Sequence, residues 1–499
     1  MQLQDMTIAE LQDCYCEGHW TSRDLCQAYL DRIAEIDWAG PTLRSVIEVN
    51  PDALEIATDL DREREATGPR GPLHGVPILV KDSIDTADKT MTTAGSLAML
   101  GHYAEEDAFV VAQLRRAGAV ILGKTNMTEW SYMRSTRTCS GWSSRGGQVR
   151  NPHVLDRSPS GSSSGSGVAV AANLCMAAVG AEVDGSIVRP SSTNGIVGIK
   201  PTVGLLSGSG SMPVVAPQDT VGPMARTVSD LATVLTAMTG VDPRAPATEA
   251  AVPHTADDYR AFLDPQALKG ARLGVARDLM GSHEGVDAVI EQAIETLRGL
   301  GAEIVDPANG CALPLFGSEE TEICLYGFKA GMNRYFAERP NSPVRSIADL
   351  IRRNREDAAR IMPFFQQELL EMIEAKGGLD DPAYLQAVAE CRRLSRIDGI
   401  DRVLREHSLD AILAPTDGTP AWLIDQILGD QISGGCSTPP AMAGYPHITL
   451  PAGMVQGLPV ALSFFSEAWQ EGKLIGYAYA FEQATQARRF PAFLPTVTV

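Results

Sequence analysis

Three polar side chains stand where a hydroxyl-based reaction could be run. Lys81 closes the apolar run Val76-Pro-Ile-Leu-Val80, Ser162 lies in the Ser/Gly-rich turn 158–167, and Ser186 lies in a second Gly-bearing turn, 182–189. Between the turns runs the small-residue segment 168–179, whose Ala and Val content predicts a tightly packed helix. A serine hydroxyl is a poor nucleophile until a base takes its proton, and a lysine carried into an apolar interior loses basicity by desolvation. Such a lysine can equally snorkel to water or pair with Asp82 or Asp85, and the residues alone leave both outcomes open. A flexible linker is the bland reading of the Gly/Ser turn, but linkers are not followed by a run such as Ala169-Val-Ala-Ala-Asn173.

Two other chemistries fit parts of the same stretch. Gly161-Ser-Ser-Ser-Gly165 matches the G-x-S-x-G elbow of α/β-hydrolases, with Ser163 as nucleophile and His447 with Asp410 or Asp430 as partners. An elbow should follow a strand, whereas 149–159 holds two prolines and several charged or polar residues. A phosphate-cradling loop fits less well, because the run lacks the closing Gly-Lys-Ser/Thr.

The elements that must position these groups alternate between strand and helix. Thr7-Ile-Ala-Glu10 and Thr21-Ser-Arg-Asp24 read as capping boxes opening two helices, and 43–49 reads as a first strand. The strand 76–80, a helix over 107–117 and a strand from Val120 continue the pattern. The loop 127–150 carries Trp130, Ser131, Tyr132 and Trp142, which suit a substrate-facing wall, although each aromatic could equally anchor the loop to the core. The stretch 204–224 is loop-like, 227–240 is an amphipathic helix, and 241–269 is an acidic, proline-bearing excursion. A second α/β unit spans 272–305, 315–408 is helical and charged, and strands at 410–415, 448–455 and 458–464 precede a last helix over 473–489. The expected fold class is α/β, a single large domain with a central mixed, mostly parallel sheet flanked by helices. Residues 1–65 form an N-terminal helical segment on a main domain of 66–499, whose more variable part is 241–408.

With 62 acidic against 42 basic residues the net charge is −20, which repels phosphate backbones and anionic membranes. Nine cysteines without a C-x-x-C pair suit buried thiols in a reducing compartment, and no His pair has metal-ligand spacing. The first twenty residues lack the basic and apolar regions of a signal peptide, so the expectation is a cytoplasmic chain with no nucleic-acid or membrane partner and no metal.

Lys81 in Gly-Val-Pro-Ile-Leu-Val-Lys-Asp, the run from Ser160 to Asn173, and Asp184-Gly-Ser-Ile-Val-Arg-Pro190 leading to Gly195 through Thr202 resemble the amidase signature family of serine hydrolases. The likeness runs from about 71 to 227 and resumes near 409–416 and 440–465. The resemblance implies a catalytic triad of Ser186 as nucleophile, Ser162 as bridging serine, usually reached through a cis peptide, and Lys81 as neutral base, with Ser163 supporting. It also implies an oxyanion hole from the backbone N–H groups of Val183, Asp184, Gly185 and Ser186, and no cofactor. Asp184-Gly-Ser186, with the loop Gly141 to Pro152, is more similar to the peptide amidase branch, although Ala181 and Arg189 replace a Thr and a small residue there. The implied activity is hydrolysis of C-terminal peptide amides or other small primary amides, by a monomer or homodimer. Alternatives are an aryl acylamidase or carbamate hydrolase using the same triad, then an esterase through Ser163, then an amidotransferase subunit.

Overall fold

The computed structural model describes residues 6–315 and 317–497. Its strands, in chain order, are β1 (Val46–Val49), β2 (Pro77–Lys81), β3 (Val120–Thr125), β4 (Trp142–Ser143) and β5 (Gly147–Gln148). They continue with β6 (Ala177–Glu182), β7 (Val197–Lys200), β8 (Thr220–Ala225), β9 (Arg272–Val275) and β10 (Glu303–Val305). The last are β11 (Ala411–Pro415), β12 (His447–Val455) and β13 (Leu458–Phe465). Eleven form one sheet, ordered β1-β3-β2-β6-β8-β7-β12-β13-β11-β9-β10, while β4 and β5 make a separate small hairpin.

The fold is the expected single α/β domain built on a mixed sheet. The balance of pairing differs from expectation: β2 is parallel to β3 and β6, and β9 to β10 and β11, but the other six pairings are antiparallel. The reason lies in short returns. β12 and β13 are joined through Gln456 and Gly457, both at positive φ (49° and 80°), the two-residue turn that closes an antiparallel hairpin with the right twist. That hairpin fills the middle of the sheet and welds the two parallel flanks together.

Residues 6–65 are more than a helical cover, because β1 pairs with β3 at the sheet edge. Thr7 forms both halves of its capping box with Glu10, whereas Thr21 supplies only the forward bond, to the Asp24 amide. Likewise, the 241–408 stretch contributes β9 and β10 besides its helices. A large core cluster spans the sheet and the helices packed on it, and a second gathers around the long helix Ser318–Ala337, from Trp130 and Met212 to Phe328 and Phe336.

The central stretch corrects the expected long helix over 168–179. A short helix, Ser164–Ala171, ends where Asn173 takes a left-handed conformation (φ 58°), and the chain returns as β6 from Ala177. Asn tolerates that conformation better than other β-carbon-bearing residues. Small residues serve β6 because both its faces are covered: a Cβ on Gly180 would sit 2.9 Å from Ser163 Oγ and 3.0 Å from Met224 Sδ.

Candidate active site

β2 and β6 run side by side and parallel, with Val80 level with Val179, so Lys81 and the turn after Glu182 emerge together at their carboxyl ends. In open α/β sheets that end is where ligand crevices form. All five residues of β2 are buried, which draws the Lys81 side chain wholly out of water. Its Nζ is hydrogen-bonded to Ser162 Oγ at 2.7 Å and to the Ala181 carbonyl at 2.9 Å. Asp82 and Asp85 point elsewhere, to Arg145 and Arg339, so the pairing reading for Lys81 does not hold. Burial lowers the Lys81 pKa to about 7, against the opposing pull of Glu182 and Asp219.

Ser162 follows a cis Gly161–Ser162 peptide and precedes the helix Ser164–Ala171. Two backbone bonds hold it beside Ser186: Thr128 N–H donates to the Ser162 carbonyl (3.1 Å) and Ser163 N–H to the Ser186 carbonyl (3.1 Å). Ser162 and Ser186 line one cavity of about 290 Å³, shared with Ser131, Tyr132, Asp184, Asp219 and the apolar Leu206 and Met212, among others. Ser163 is fully buried, its Oγ donating to the Ala181 carbonyl (3.1 Å) and accepting from the Ala181 amide (3.2 Å). It is a brace between helix and strand. The elbow alternative lacks its partners, because buried His447 bonds Ser463 Oγ (2.6 Å) and Asp430 bonds the Ser140 and Trp422 nitrogens.

The turn before Ser186 is organised by Glu182. Its buried carboxylate accepts from the amides of Gly185 (2.9 Å), Ile187 (2.6 Å) and Val188 (3.0 Å), capping the first turn of the helix Val188–Thr193. The Gly185 amide is therefore engaged, which removes it from the expected anion cradle and leaves Val183, Asp184 and Ser186 as candidates. Gly185 sits at φ 75°, and a Cβ there would lie 2.5 Å from Arg189 Cδ, so glycine is required on both counts. Arg189 packs its stem under this turn and is buried with its Nε on Asp417 Oδ1 (2.8 Å) and Nη2 on the Gly434 carbonyl (2.9 Å).

The aromatic wall divides. Trp130, Ser131 and Tyr132 occupy three consecutive left-handed conformations (φ 53°, 51° and 74°), which sends Ser131 and Tyr132 to the cavity and Trp130 into the second core, edge-on to Phe328. Trp142 is buried against Phe365 and under the Arg134 guanidinium. Neither tryptophan lines the cavity.

Asp219 escapes the sequence reading, although a signal exists: it is the one charged residue in 204–224. It lines the cavity, accepts from the Val214 amide (2.9 Å), faces Lys81 electrostatically, and is raised by burial to about 6. Beyond it, the cavity adjoins a second one of about 480 Å³, sharing Ser209, Ser211, Pro213, Arg244 and Arg334 as walls. Among the described residues no His/Cys/Asp/Glu cluster could hold a metal, and no helix is long and apolar enough to cross a membrane. Among the described residues the nine cysteines form no disulfide, and eight of them are buried.

A family model described as Amidase matches residues 24–475. The chain belongs to the amidase signature family. The crystal structure of native peptide amidase from Stenotrophomonas maltophilia superposes with a TM-score of 0.93 at 48% identity, over 98% of this chain and 99% of that one. A probable amidase of Arabidopsis thaliana is 41% identical over 99% of this chain and 92% of its own length. A glutamyl-tRNA(Gln) amidotransferase subunit from Pseudomonas aeruginosa is 34% identical, over 97% of this chain and 98% of its own. This member of the family is an amide-hydrolysing enzyme.

Proposed function

We propose that the chain hydrolyses C-terminal carboxamides of short peptides, or similar primary amides, through an acyl-enzyme on Ser186. The observation that carries this reading is the Lys81–Ser162 contact: a fully buried lysine with a pKa lowered to about 7, on a hydroxyl that shares the cavity with Ser186. Neutral Lys81 takes the Ser162 proton as Ser162 takes that of Ser186, whose Oγ attacks the amide carbon. The oxygen becomes an anion held by the amides of Val183, Asp184 and Ser186, where each donor is worth ~10²-fold or more in rate. Ser162, reprotonated from Lys81, passes a proton to the leaving nitrogen, and ammonia departs as the C–N bond breaks. Water then cleaves the ester by the same relay, releasing the acid and regenerating Ser186.

The peptide part of the proposal draws on the likeness to a peptide amidase over nearly the whole chain and on the second cavity, which gives a residue chain room beyond the scissile group. The net charge of −20 disfavours an aminoacyl-tRNA substrate despite the likeness to an amidotransferase component. The test is a single mixture of a peptide amide, an anilide, an aryl carbamate and an ester, with products followed by mass spectrometry for wild type and Ser186→Ala. Acid formed from the peptide amide by wild type alone supports the reading. Turnover of the anilide or carbamate alone overturns the substrate class, and an active Ser186→Ala overturns the mechanism.

A further inference from the structure

Tyr132 is anchored from a distant loop. Trp130, Ser131 and Tyr132 hold three successive left-handed conformations, which residues with a β-carbon adopt at a cost and keep where their surroundings fix them. Trp130 is fixed by the second core, and Ser131 by its N–H on the Thr128 carbonyl at 2.9 Å. Tyr132 is fixed through its hydroxyl, which meets Ser140 Oγ at 2.5 Å. Ser140 Oγ in turn donates to Asp430 Oδ2, while Ser140 N–H (3.0 Å) and Trp422 Nε1–H (3.1 Å) donate to Asp430 Oδ1.

A carboxylate offers acceptors alone, so the direction of this chain is set. Ser140 gives its one hydroxyl proton to Asp430, and Tyr132 must supply the proton between itself and Ser140. Asp430 stands in the loop 416–437 and is placed there by local bonds. Asp425 Oδ1 accepts from the Ile427 (2.8 Å) and Leu428 (2.9 Å) amides, the Gly429 N–H returns to the Asp425 carbonyl (3.2 Å), and the Asp430 N–H reaches the Thr138 carbonyl (3.3 Å).

The other side of Tyr132 is the relay. A Cβ on Gly161 would lie 2.6 Å from the Tyr132 hydroxyl, so the tip of the ring abuts the residue immediately before Ser162. Tyr132 and Ser162 also line the same cavity. A nitrogen that takes its proton from Ser162 must come within hydrogen-bond reach of that Oγ, on the flank that Tyr132 walls. Whatever the nitrogen carries besides hydrogen has to pass the ring.

We propose that the chain Asp430–Ser140–Tyr132 sets the leaving-group specificity: it pins the Tyr132 ring beside Ser162, so that an unsubstituted NH2 fits and an N-alkyl or N-aryl group is turned away. Tyr132 is the specificity residue, and Ser140 and Asp430 are positioning residues that act through it. The proposal rests on the reading of Ser186 as nucleophile and of Ser162 as donor to the leaving nitrogen.

The test takes one acyl peptide as its carboxamide, N-methylamide and anilide, and reads in each protein the ratio of kcat/KM for the substituted amides to that for the carboxamide. Each ratio is taken within one protein, so a reduced folded fraction cancels. Asp430→Ala and Ser140→Ala should raise the ratio about 10-fold or more over wild type, the scale on which a pocket discriminates a methylene-sized group. Asp430→Asn keeps a hydrogen-bonding partner for Ser140 Oγ and should restore most of the discrimination. A fall in Tm with an unchanged ratio in both alanine variants gives the chain a structural role alone and overturns the proposal. So does a wild type that turns over the N-methylamide as readily as the carboxamide. Should both alanine variants fail to fold, Tyr132→Phe, which deletes the hydroxyl and keeps the ring, carries the test. Failure of the parent reading shows separately, as an active Ser186→Ala or as no acid from the carboxamide with wild type.

Discussion

Arg189 and Asp417 meet at 2.8 Å directly beneath the turn that carries Ser186, both only 5% exposed. The guanidinium is held from the far side of the site by the segment leading to Gly434, and its stem fills the space that a side chain at 185 would need. Removing one partner of a buried pair leaves the other charge without compensation, at a cost of about 3–5 kcal/mol. Arg189→Ala should therefore lower the urea midpoint sharply and depress kcat, while Arg189→Met with Asp417→Asn should recover part of the stability. Equilibrium unfolding and kcat measured on the three proteins check this.

Lys81 must be neutral to act, and its pKa is lowered from the ordinary lysine value to about 7. kcat/KM should rise with pH through an apparent pKa near 7 and then level. Lys81→Met should lose ~10²–10⁴-fold in rate, the usual worth of a positioned base. The same burial sets a stability trend. Between the folded pKa and the higher unfolded one the unfolded chain binds more protons, so wild-type stability gains with rising pH across that window. The Tm advantage of Lys81→Met should accordingly be largest below pH 7 and shrink above it, as calorimetry across pH would record.

The three serines at the turn should separate cleanly. Ser186→Ala should abolish turnover, and Ser162→Ala should cost ~10²–10⁴-fold by breaking the relay. Ser163→Ala leaves the relay intact but strands the Ala181 amide, a loss of about 1–3 kcal/mol in unfolding free energy. A Ser163→Ala protein that is folded yet inactive would contradict the assignment and favour the elbow.

Tyr132 lines the cavity and Trp142 does not. Tyr132→Phe and Ser131→Ala should change KM or the ranking of amide substrates, whereas Trp142→Phe should alter Tm alone. Competition kinetics with two peptide amides of different side chain tests the distinction.

Part of this was readable from residues. A lysine closing a five-residue apolar run could snorkel or pair as well as be buried, and it is the pairing of β2 between β3 and β6 that decides for burial. The hairpin strands near 448–464 were plain from their apolar runs. The run 168–182 was not, since Ala, Val and Gly suit a buried helix and a doubly covered strand alike, and Asn173 alone marks the break. The aromatic wall hid its arrangement in three left-handed backbone conformations at 130–132, which residue types there do not announce. The Arg189–Asp417 pair depends on how distant segments meet, which local pattern cannot carry.

The order of the sheet also has a bearing on biosynthesis. β7 finds its outer neighbour only in β12, almost half the chain later, so a ribosome-bound intermediate that has completed β8 holds the Ser186 turn on a sheet whose β7 edge is still bare. Such an edge is a template for pairing with other chains. Products ending between 226 and 446 should therefore aggregate, and yield of active protein should depend on how quickly synthesis reaches the closing hairpin.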